Sequence, residues 1–139
     1  MYYTLVMTGF CLAIAVVDIK TFRIPDILLV VFALFIIILE ERQSYLYTLV
    51  RFSSAMLSLL LFAAVWHYTQ GMGLGDVKYA TLLGYLLSPE KLTYAFITAA
   101  LLGIIVYMIG VILFHWTKTT KIPFAPFLSA GAILALPVS

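Results

Sequence analysis

The sequence predicts an all-α polytopic integral membrane protein, a bundle of six transmembrane helices, and three observations carry that prediction. The 139 residues are 65% hydrophobic and only 10% charged, and the mean hydropathy is +1.15, far from the mix of a soluble domain. The apolar residues gather into six runs divided by short polar breaks. The breaks carry helix punctuation: Pro25 and Pro123 at first-turn positions, Gly71 to Gly75 before the fourth run and Ser88-Pro89 after it.

The first run, Tyr2 to Val17, contains Ala13-Ile14-Ala15, which mimics a small-residue cleavage site, but no Lys or Arg precedes Lys20. Without a basic n-region it reads as a retained helix. Pro25 to Leu39 forms the second run, and Tyr45 to Tyr68 the third, long enough to span with tilt. The fourth, Val77 to Leu87, would reach only about 17 Å against a hydrocarbon core of roughly 30 Å. Either the bilayer thins there or water enters, and both bring water toward Asp76. Leu92 to Trp116 is the fifth run, in which Gly103 and Gly110 suggest a small-residue contact face. Pro123 to Val138 is the sixth. No linker or repeat divides the chain, so residues 1–139 read as a single membrane-embedded domain.

Lys20, Arg23, Lys78, Lys118 and Lys121 fall in or beside the odd loops, against Arg42, Arg51 and Lys91 on the other side. That excess places the odd loops in the cytoplasm and the N-terminus outside. Tyr2, Tyr3, Tyr45, Tyr47, Trp66, Tyr68 and Trp116, near the run ends, fit interfacial belts. Glu40, Glu41 and Arg42 read as an exposed outer turn. The net charge of +2 is spread over short loops, which excludes a phosphate-tracking patch and makes nucleic acid an unexpected partner. With Cys11 the sole cysteine, no disulfide framework or Cys-based zinc site can be built within one chain. His67 and His115 read as interfacial aromatics, so no metal and no cofactor is expected.

Against that background two carboxylates stand out. Run one travels inward and ends at Asp18, and run four travels outward and begins at Asp76, so both lie at one depth near the cytoplasmic face. If the helices are neighbours, the two carboxyls can share a proton, since like charges a few ångströms apart resist double ionisation. Such a pair serves as general base on water and general acid on a leaving amine. Gly73 and Gly75, without side chains, would let the backbone bend and an extended substrate approach. Other roles remain open. Asp76 is equally an N-cap for helix four, and Asp18 equally a hydrated charge paired with Lys20 or Arg23. Asp26 supports the start of helix two through its dipole. Lys78 either steers substrate or anchors the helix, and Lys20, Arg23, Lys118 and Lys121 are positive-inside anchors.

The stretch Asp18-Ile19-Lys20-Thr21-Phe22-Arg23-Ile24-Pro25-Asp26, the motif Gly73-Leu74-Gly75-Asp76-Val77-Lys78 and the late Ile122-Pro123-Phe124-Ala125-Pro126-Phe127-Leu128 together resemble the prepilin peptidases. These are membrane aspartyl proteases of the GxGD type, a motif shared with presenilin and preflagellin peptidases. The resemblance implies an aspartic endopeptidase with Asp18 and Asp76 as the catalytic pair. It makes Gly73, Gly75, Lys78, Lys20, Arg23, Asp26 and Pro123 substrate-binding or site-shaping residues, and puts the last-helix entry near the site. It implies as substrates type IV prepilin or pseudopilin precursors, whose basic leader precedes a hydrophobic helix and is cut at the cytoplasmic face of the inner membrane. A basic leader would suit a face bearing Asp18, Asp26 and Asp76. Many bacterial members carry a zinc-bearing insert and methylate the new N-terminus. Here seven residues, Asp18 to Ile24, join the first two runs, so the chain resembles the short form found with tight-adherence pili and in archaea, and methylation is not implied. The rival from another class is a small proton- or cation-coupled transporter using Asp18 and Asp76 as ion-binding carboxylates. A scaffold whose aspartates only cap helices is a third reading.

Overall fold

A computed structural model describes residues 2–39, 45–69, 72–117, 120 and 122–137. Glu40, Glu41, Arg42, Gly71, Lys118 and Lys121 lie outside the described residues. Those described form six α-helices and no strand: α1 Tyr2–Thr21, α2 Asp26–Leu39, α3 Tyr45–Thr69, α4 Leu74–Leu86, α5 Pro89–Phe114 and α6 Ala125–Ala135. Each predicted run corresponds to one helix, but the ends move where polar residues extend or shorten the turns. Asp18 lies inside the last turn of α1 and Asp76 inside the first turn of α4. Pro25 and Pro123 precede their helices, and Pro126 takes the first-turn position of α6.

Helices α1, α3 and α5 are long and apolar enough to cross a bilayer, whereas α2, α4 and α6 have 14, 13 and 11 residues. The outward surface is apolar: Ile27, Leu46, Leu57, Ile104, Ile112 and Phe114 are all more than half exposed. A surface of that kind is stable facing lipid and aggregates in water. The chain is an all-α membrane protein.

The short helices α4 and α6 form much of the interior, whereas α2 lies on the outside with most of its residues exposed. α4 packs chiefly on α3, α6 on α5 and α1, and α2 reaches α4 and α1 more lightly. Small residues set the two closest approaches. A β-carbon at Gly84 would press on Ser58, Ser54 and Ala55 of α3, and one at Gly131 would collide with the Ala95 carbonyl of α5. Without a hydrophobic drive between helices in lipid, such backbone-to-backbone fit supplies dispersion contacts in its place. Phe10 stacks on Phe32 with ring centroids 4.7 Å apart, tying α1 to α2. Phe62 meets Phe96 at 4.9 Å, tying α3 to α5. Lys91 at the start of α5 donates to the Leu136 carbonyl at the end of α6, 2.9 Å away, a cation meeting the negative end of a helix.

One of the two glycine expectations in α5 is revised. Gly103 does face α6, against Phe127 and Phe124, but Gly110 is covered by the ring of Trp116. The chain turns back after His115, which adopts φ 54°, and Trp116 donates its N–H to the Gly110 carbonyl at 3.2 Å. Trp116 therefore packs on its own helix and does not stand free in an aromatic belt.

Candidate active site

The backbones of α1 and α4 do not meet; α6 contacts both, and its N-terminus supplies the link. Asp18, one turn before the end of α1, is 4% exposed. Its Oδ2 accepts the backbone N–H of Ala125, the first residue of α6, at 3.2 Å across 107 positions of sequence. Pro126 has no N–H to offer, and the next two, of Phe127 and Leu128, turn back to the Phe124 carbonyl. The Ala125 N–H would be left without a partner by its own helix. A carboxylate at this positive end gains both a charge-assisted hydrogen bond and the helix dipole.

Asp76 is held in a parallel way by its own helix. It is the third residue of α4, after the N-cap Gly73, and not the N-cap itself. Its Oδ2 accepts the Gly73 N–H at 3.3 Å, the backward reach an acidic residue makes from that position. Its Oδ1 is buried and has no hydrogen-bond partner among the described residues. Both aspartates face one cavity of about 390 Å³, whose other walls are Phe22, Val65, Thr69, Met72, Gly73, Ile122, Pro123 and Phe124. They lie close enough for the charge of Asp18 to act on Asp76. No basic side chain among the described residues forms an ion pair with either, so the alternative pairing of Asp18 with Lys20 or Arg23 is not found there.

The remaining expected residues divide between this cavity and its surroundings. Gly73 and Pro123 line it. Gly73 has φ −76° and ψ 148°, a conformation open to any residue, so it is not needed for a bend. Gly75 makes room for the chain itself: a β-carbon there would lie 3.1 Å from the Ile24 β-carbon and 3.4 Å from the Ile24 nitrogen. The glycine thus lets the α1–α2 link press on the start of α4. Lys78 does not reach the aspartates. Its Nζ pairs with Asp26 Oδ1 at 2.7 Å, bridging α4 to the first turn of α2, with both side chains largely exposed. Both line a separate apolar groove between α2, α3 and α4. Lys20 and Arg23 are exposed beside the end of α1. His67 and His115 are exposed, and no group of potential metal ligands occurs among the described residues.

Phe22 is a cavity residue the sequence did not single out. It follows α1 with φ 52°, a left-handed conformation strained for a bulky side chain. Its N–H donates to the Asp18 carbonyl at 2.8 Å, and the Thr21 hydroxyl, 2.8 Å from the carbonyls of both Val17 and Arg23 and sharing its one hydrogen between them, braces the turn. Val65 and Thr69, four apart on α3, add a wall that sequence alone could assign to no partner.

Comparison with known proteins shows the family. The model of the type IV leader peptidase family matches residues 5–108. The chain is 29% identical over 138 residues to the prepilin leader peptidase/N-methyltransferase of Bacillus subtilis (strain 168), an alignment covering 97% of this chain and 55% of that protein. The chain therefore spans about half the length of this curated relative. No solved structure gives a significant match. Matched along most of its length, the chain belongs to the type IV leader peptidase family.

Proposed function

We propose that this protein is an intramembrane aspartic endopeptidase that removes the basic leader from type IV prepilin-like precursors at the cytoplasmic face of the inner membrane, with Asp18 and Asp76 as the catalytic pair. The observation that carries the proposal is the single cavity holding both buried carboxylates, each fixed through Oδ2 by a helix N-terminal N–H.

In this reading one carboxyl is charged and the other protonated. The charged one takes a proton from water as the water oxygen bonds to the scissile carbonyl carbon, and the protonated one hydrogen-bonds the carbonyl oxygen. The tetrahedral intermediate then collapses: the C–N bond breaks and a carboxyl proton passes to the leaving nitrogen. The products are a leader ending in a carboxyl group and a mature chain beginning with an amine. The two helix N-termini hold the carboxylates without occupying them fully, since Asp76 Oδ1 remains unbonded within the described residues. Phe22, Val65, Met72 and Phe124 keep the surroundings apolar, which strengthens each electrostatic contact inside. The reading requires no cofactor.

Hydrolysis without methyl transfer is proposed, because the short α1–α2 link and the lone Cys11 provide no zinc-bearing insert. Co-expression with a precursor carrying a basic leader and an apolar helix tests all of this. The mature N-terminus, measured by mass spectrometry, is expected to be cut and unmethylated. Intact precursor with wild-type protein, or full cleavage by Asp18→Asn, would sink the proposal.

A further inference from the structure

A second polar layer lies one to two turns deeper than the aspartates. The Tyr79 side chain on α4 is fully buried, and its hydroxyl shares a hydrogen bond of 2.8 Å with the hydroxyl of Ser129 on α6. The thiol of Cys11 on α1 is buried in the same core. Each member stands beneath one member of the upper layer: Tyr79 three residues after Asp76, Ser129 four after Ala125, and Cys11 seven before Asp18. At helical spacing these pairs share a face. α6 is therefore tied to α1 by the Asp18 to Ala125 bond and to α4 by the Tyr79 to Ser129 bond. Because the α1 and α4 backbones do not touch, the distance between the two carboxylates depends on such ties.

We infer that Tyr79 is a positioning residue, whose hydroxyl, bonded to Ser129 on α6, sets the spacing of Asp18 and Asp76. The inference rests on the peptidase reading for its catalytic consequence, but its geometric content can be measured separately.

Tyr79→Phe and Ser129→Ala each delete one hydroxyl, and Thr81→Val deletes another hydroxyl of α4 that bonds only within its helix. In cleavage assays, Tyr79→Phe and Ser129→Ala are expected to lower kcat by about 10- to 100-fold, the scale of a small misplacement of reacting groups. KM should stay within about twofold, and Thr81→Val should match wild type. The separate readout uses the fact that the chain has only three aspartates, Asp18, Asp26 and Asp76. With carboxyl-labelled aspartate in micelles, NMR follows each titration. The Asp18 and Asp76 midpoints are expected to move by about half a pH unit or more in both variants, while Asp26 stays in place. Unmoved Asp18 and Asp76 titrations in a folded Tyr79→Phe or Ser129→Ala protein would overturn the inference, whatever the cleavage result. Absence of cleavage by wild type would instead count against the peptidase reading and leave the titrations to decide the inference.

Discussion

The N–H of Ala125 points at Oδ2 of Asp18 from 3.2 Å, so one aspartate serves both as a cavity carboxylate and as the acceptor for the first amide of another helix. The two roles can be separated by substitution. Asp18→Asn keeps an acceptor oxygen and should fold with near wild-type stability while losing cleavage. Asp18→Ala loses both and should be less stable by about 1 kcal/mol, the usual scale for removing such an acceptor from a helix start. Thermal unfolding in micelles beside a cleavage assay checks this; equal melting of the two variants would remove the capping role.

The two motif glycines should respond differently. At Gly73 an added β-carbon would meet Asp76 Oδ2 at an ordinary 3.5 Å, so Gly73→Ala should change stability by no more than about 0.5 kcal/mol. At Gly75 the added carbon crowds both the side chain and the backbone of Ile24. Gly75→Ala should therefore cost about 1 to 3 kcal/mol as an overpacked site. Denaturation midpoints measured side by side decide it, and a Gly75→Ala protein as stable as Gly73→Ala would contradict the packing described.

Asp26 and Lys78 form an exposed pair outside the cavity. Exposed pairs contribute at most about 1 kcal/mol. Lys78→Gln should then leave stability and cleavage close to wild type, and exchanging the two charges should restore any small loss. A large rise in KM on Lys78→Gln alone would show that the lysine meets substrate after all.

Cleavage by the proposed dyad should follow a bell-shaped pH profile. Below the lower macroscopic step both carboxyls are protonated and no base remains; above the upper step both are charged and no acid remains. Initial rates across pH test this, and a profile with one limb would mean that a single carboxyl titrates in catalysis.

Phe22 offers a prediction of the opposite sign. Relieving its left-handed backbone with Phe22→Gly should raise stability by about 1 kcal/mol, although the wall of the cavity is lost. Higher melting together with slower cleavage is expected. Lower melting would mean that the ring's contacts outweigh the backbone strain.

The sequence made the six helices legible, because lipid demands long apolar runs and tolerates few charges, and it singled out Asp18 and Asp76, which face one cavity. It was far less informative about which faces meet. In water an interior helix face is marked by its apolar residues, but in lipid both faces are apolar, and only small residues such as Gly84 and Gly131 mark a contact. The Lys78 to Asp26 pair and the Tyr79 to Ser129 bond each join residues 50 or more positions apart. No local spacing announces them. At Gly75 the missing side chain signals a close approach without saying by what, and Ile24 makes one.

Unequal helix lengths carry a consequence for the surroundings. The exposed 14-residue α2 stands in the same bundle as the 26-residue α5, so lipids on different flanks meet apolar belts of different height. A protein of that shape cannot match one uniform sheet of acyl chains. A leaflet is expected to thin beside the short helix. For the proposed peptidase, acyl-chain length would then affect how readily an aqueous leader reaches the aspartates.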